Sequence, residues 1–72
     1  MNEKKECVVI LNGKPRSMAE ALSLDEMVTS LGLESRSVLV EHNGVAVAGP
    51  HRKDVLVVSG DRIEIFRVVA GG

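Results

Sequence analysis

Aromatic residues are almost missing from this chain. It has no tryptophan and no tyrosine, and Phe66 is its single phenylalanine. Proteins that bind single-stranded nucleic acid stack bases on aromatic rings, so that mode is excluded. A surplus of positive charge is missing too. Nine lysines and arginines face ten aspartates and glutamates, a net −1, whereas phosphate binding calls for a basic excess. Nucleic acid is not an expected partner. A single cysteine, Cys7, leaves no internal disulfide and no cysteine-rich metal site. No stretch approaches the roughly 20 apolar residues of a membrane span. The opening "MNEKKEC" has no apolar segment of signal-peptide kind behind its lysines. The expectation is a cytoplasmic chain with no membrane partner.

What is present reads as one domain over residues 1–72, with 1–6 as a lead-in and 69–72 as a flexible tail. The 44% hydrophobic content, mostly Val, Leu, Ile and Ala, suggests a real core. "CVVILNGKPRSM" reads as a hairpin turning at Asn12-Gly13, because both central residues of a type I′ turn need positive φ. Pro15 cannot donate to a ladder, so the second strand lies at an edge or starts after it. "SLDEMVTSLGL" reads as a helix of about nine residues, with Ser23 and Glu26 as a capping box. Leu24, Met27, Val28 and Leu31 form its apolar stripe, and Gly32 suits its stop. "SVLVEHNGVAVA" repeats the strand–turn–strand signal at Asn43-Gly44. Residues 50–54 read as a polar loop or one helical turn. "VLVV" reads as a short strand or as the close of a crossover, and "RIEIFRVV" as the last strand. That strand is too apolar for a surface edge and belongs in the centre. Strands around one helix make an α+β fold, a mixed four- to five-stranded sheet with the helix on one face.

Side chains alternate faces along a strand. Ile63 and Ile65 are assigned to the core under the helix, and Glu64, Phe66 and Val68 to the other face. Phe66 and Val68 then begin an exposed apolar patch, with Val69 where strand gives way to tail. Such patches tend to mark interaction sites; the alternative is a loop that covers Phe66. His42 reads as a strand surface residue and His51 as a loop residue, neither with metal-ligand spacing around it. Cys7 reads as a small apolar filler, and "NGKPRS" as a hairpin turn rather than a phosphate loop. No arrangement of side chains points to an enzyme. The distinctive group is the terminal carboxylate of Gly72. A carboxylate must be activated, typically as an acyl-adenylate, before it reacts. Glycine has no Cβ, which lets a tail pass down a narrow channel into another protein's ATP site. A frayed end is the bland alternative.

The segments "VVILNGKP", "VLVEHNGVAVA" and above all the ending "GDRIEIFRVVAGG" carry a resemblance. They are similar to the ThiS/MoaD family of sulfur-carrier proteins, in particular those of thiamine biosynthesis, within the ubiquitin-like β-grasp superfamily. The resemblance runs from about Cys7 to Gly72. It implies a carrier and cosubstrate rather than an enzyme. An E1-like adenylyltransferase of the ThiF type would use ATP to adenylate Gly72; the chain itself would bind no cofactor stably. A cysteine desulfurase persulfide would supply sulfur, and the resulting thiocarboxylate would serve a thiazole synthase of the ThiG type. Gly72 would bear the sulfur and Gly71 give clearance. Phe66, Val68 and Val69 would dock the partner, and no metal site is implied.

Within the superfamily, the small subunit of molybdopterin synthase shares the ending but tends to be more aromatic, with proline shortly before its last residues. "FRVVAGG" has neither proline nor a second aromatic. Carriers of tRNA thiolation or cysteine synthesis and protein modifiers are further relatives. A reading of another class is a non-catalytic β-grasp binding module whose diglycine is incidental. It predicts that losing Gly71 and Gly72 leaves function intact.

Overall fold

The computed structural model describes residues 6–18 and 21–68. Strands β1 (Cys7–Leu11) and β2 (Lys14–Met18) form the first hairpin. Asn12 and Gly13, at φ 48° and 83°, supply the two positive-φ positions of the turn. β2 is an edge strand, where the missing N–H of Pro15 costs no ladder bond. Of the lead-in expected over residues 1–6, residues 1–5 lie outside the described residues; Glu6 accepts a hydrogen bond from the Ser17 hydroxyl at 3.3 Å.

Helix α1 (Leu24–Ser30) starts on the expected capping box. Ser23 Oγ accepts from the Glu26 N–H at 3.0 Å, and Glu26 Oε1 accepts from the Ser23 N–H at 2.9 Å. At its far end Gly32 takes φ 79°. The N–H of Gly32 donates to Thr29 O and that of Leu33 to Val28 O, which closes the helix as a Schellman motif. The helix is seven residues rather than nine, because Leu31 already serves as its C-cap. A helix this short is held by tertiary packing: Leu24, Met27 and Val28 are fully buried.

Strands β3 (Val38–His42) and β4 (Val45–Ala46) form the second hairpin, turning at Asn43 and Gly44 with φ 52° and 87°. A 3-10 helix at Gly49–Asp54 fills the polar stretch. "VLVV" is not a ladder strand. The Leu24 N–H donates to Val55 O and the Val57 N–H to Leu22 O, so this segment straps the helix entry and closes the crossover. Strand β5 (Arg62–Arg67) follows.

The sheet order is β2-β1-β5-β3-β4, with β1 and β5 parallel and β3 and β5 antiparallel. This is a five-stranded mixed sheet with one helix on one face, the α+β arrangement of the ubiquitin-like β-grasp fold. β5 lies in the centre, as its apolar run required. Cys7, Val9, Val38, Val40 and Ile63 meet Leu24, Met27, Val28 and Val57 in one core. Cys7 sits in it as a small apolar residue. Ile65 packs against its margin. No helix among the described residues is long and apolar enough to cross a membrane.

Candidate functional site at the end of the central strand

The two ends of β5 are held differently. At its start, β1 and β3 flank it on both sides. The Ile10 N–H donates to Asp61 O at 2.9 Å, and the Asn12 N–H to Ile63 O at 2.9 Å. β1 then turns away at Asn12, and its paired register stops at Leu11 and Ile63. The Asn12 side chain extends the ladder by one step, accepting the Ile65 N–H on Oδ1 at 2.8 Å. Asn43 does the same on the other side, accepting the Arg62 N–H at 2.8 Å. Each turn asparagine thus combines positive φ with a side-chain carbonyl for the central strand.

Beyond Ile65, among the described residues, only β3 accompanies the strand. Leu39 lies opposite Phe66 and Val38 opposite Arg67. The Val68 N–H donates to Ser37 O at 3.0 Å, one step past the end of β5. The face away from the helix is open here. Phe66 is 47% exposed, Val68 52% and Leu39 60%. Among the described residues no loop covers Phe66. A shallow groove of about 390 Å³ runs beside it, lined by Leu39, Ala46, Val47, Arg52 and Phe66. A second hollow of about 320 Å³, between the helix end and the strand end, is lined by Leu33, Glu34, Ser37, Arg67 and Val68. Val69, Gly71 and Gly72 lie outside the described residues.

The ending of this chain resembles that of the ThiS/MoaD carriers. The ThiS family model matches residues 9–72. The chain belongs to the ThiS family. That is the sulfur-carrier family of thiamine biosynthesis to which the ending pointed. The crystal structure of the thiamine biosynthesis protein ThiS from Geobacter metallireducens is 29% identical, with a TM-score of 0.78 over 90% of this chain and 99% of that one. A solution structure of a thiamine biosynthesis protein from the same organism gives 0.77 at 29% identity, over 90% and 87%. A thiazole synthase from Paramagnetospirillum magneticum is 31% identical over 64 residues, 89% of this chain. This chain spans about a fifth of that enzyme's length, 20%.

Three features of this ThiS-family chain escaped the sequence reading. His42 is not a plain surface residue. It is half-buried, with Nε2 2.8 Å from Asp61 Oδ2. Asp61 is buried, and it also accepts from the Val58 N–H at 2.9 Å and from Asn43 Nδ2 at 3.2 Å. Burial works to raise the Asp61 pKa. The hydrogen bonds from Val58, His42 and Asn43, with the charge of His42, outweigh it and hold the carboxyl below its ordinary value. This cluster ties the start of β5 to the β3–β4 hairpin. His51, by contrast, is exposed in the 3-10 helix, as expected.

Arg52 is the second feature. It lies in the charged stretch "GPHRKD", where sequence alone gives it no special standing, yet it is 3% exposed. Its Nε donates to Val47 O at 3.0 Å, Nη1 to Ser35 O at 2.6 Å and Ser35 Oγ at 2.9 Å, and Nη2 to Val38 O at 3.0 Å. The planar five-donor fork of arginine suits such a set of acceptors, and lysine could not reproduce it. The third is Leu39, the cross-strand neighbour of Phe66. The alternation of "SVLVEH", with Val38 and Val40 inward, carried the signal that it points outward.

Proposed function

We propose that this chain carries sulfur as a thiocarboxylate on Gly72. An E1-like adenylyltransferase converts the Gly72 carboxylate and ATP to an acyl-adenylate and pyrophosphate. A cysteine persulfide, supplied through a desulfurase, attacks the acyl carbon and AMP leaves. Reductive cleavage of the acyl persulfide by a second thiol then frees the thiocarboxylate, which donates its sulfur to a thiazole synthase. The chain is the cosubstrate in each step; the ATP site belongs to the adenylating partner. Gly71 and Gly72 have no Cβ to obstruct a narrow channel.

The observation that carries this reading is the open apolar face where β5 runs out towards the tail. Phe66 and Leu39 pair across strands there, and Val68, the last of the described residues, is tethered to Ser37. A partner that grips Phe66, Val68 and Val69 holds the root of the tail it must thread. Aromatic anchors of this kind commonly dominate binding energy. The likeness to a much longer thiazole synthase, of which this chain matches 20%, supports a thiazole synthase as the consuming partner.

The test is the intact mass of the chain recovered from its own cells. A species heavier by one oxygen-to-sulfur exchange, mapped to the C-terminal peptide, is expected. An unmodified mass after incubation with the adenylating enzyme, ATP and a sulfur donor would refute the reading.

A further inference from the structure

β4 is only two residues long, and this leaves β3 short of a partner on its outer side. The Val47 N–H still donates to Val40 O at 2.9 Å. The chain then leaves the sheet at Gly49 for the 3-10 helix. The next acceptor along β3 is Val38 O, and Arg52 Nη2 takes it. Arg52 Nε takes Val47 O across the gap, and Nη1 takes Ser35 O and Oγ. The guanidinium therefore replaces the missing length of β4. Ser35 and Val38 bracket Ser37, whose carbonyl accepts the Val68 N–H. On the far side of β5 the β1 register has already ended. We propose that Arg52 is a positioning residue for the tail: it fixes residues 35–38, and through Ser37 it anchors Val68, the root from which residues 69–72 are presented to the adenylating partner. The part about presentation rests on the carrier reading above; the anchoring of Val68 does not.

The test reads amide hydrogen exchange residue by residue in the full chain, in Arg52→Lys and in the milder Ser35→Ala. In Arg52→Lys the protection of the Val68 amide should fall by about tenfold or more, while the Ile10 and Asn12 amides, bonded to β5 on its far side, change far less. Ser35→Ala, which removes one acceptor and one contact, should give a smaller fall at the same amide. Val57→Ala, a core substitution outside the hydrogen-bond set of Arg52, should lower all protected amides together. Adenylation of Arg52→Lys should show a raised KM with kcat held within about twofold, because a looser root is ordered on binding. Unchanged Val68 protection in both Arg52→Lys and Ser35→Ala would overturn the proposal. So would a uniform loss in Arg52→Lys indistinguishable from that in Val57→Ala. If the unsubstituted chain is never adenylated, the carrier reading fails alone, since the exchange is measured without any enzyme.

Discussion

The start and the end of β5 belong to one strand and have opposite surroundings. Ile63 is fully buried, with β1 and β3 on its two sides. The Asp61 cluster locks the turn before it, and Asn12 and Asn43 supply side-chain acceptors where the neighbouring backbones depart. Three residues later Phe66 is half exposed and, among the described residues, has a strand on one side only. A central strand normally satisfies its backbone groups on both sides. Giving up one side within a single strand separates two tasks: one end carries stability, and the other is accessible to a partner while still rooted in the core.

That division predicts unequal effects at the two ends. The largest is chemical. Deleting Gly72, or replacing Gly71 with leucine, should abolish sulfur transfer in a reconstituted assay with adenylating enzyme, ATP and sulfur donor. The melting temperature should move little. A large loss of stability would mean that the tail belongs to the fold and would break the division. Next, Ile63→Ala at the buried end should cost about 3 kcal/mol in denaturant unfolding, from lost burial and the cavity left behind. Phe66→Ala at the open end should change stability by less than about 1 kcal/mol, because much of the ring is already in water. The same substitution should weaken partner binding by about 2 kcal/mol in calorimetry. Equal stability costs at Ile63 and Phe66 would remove the distinction.

Much of this contrast is legible in the sequence, and the reasons are local. Asn12-Gly13 and Asn43-Gly44 announce hairpins because few residue pairs accept two positive φ angles. The alternation in "RIEIF" separates Ile63 from Phe66 by face, since the strand period is two. Ser23 and Glu26 mark the helix start through a reciprocal bond that needs only a spacing of three. Arg52 is not legible, because its acceptors at Ser35, Val38 and Val47 are carbonyls and a hydroxyl. No carboxylate of matching spacing betrays it, and a charged loop residue ordinarily faces water. His42 and Asp61 lie 19 positions apart, and only the sheet register brings them together. The turn asparagines announce the turns but not their second task, because the acceptor role depends on which strand arrives beside them.

The last effect probes the locked end by acid. The folded Asp61 carboxyl titrates below its ordinary value, so its stabilising bonds are fully present above the unfolded pKa of about 4. They are lost as the pH falls through the lower folded pKa, where the native state must also take up the proton. Asp61→Asn removes this charge and should cost about 1.5 kcal/mol at pH near 7. The gap between the two proteins should close as the solution becomes more acidic than about pH 4. Unfolding curves at a series of pH values measure it directly. A gap that persists unchanged well below pH 4 would show that shape, not charge, makes Asp61 matter. The start of β5 would then be held by packing and by the asparagine carbonyls, without an ionic lock.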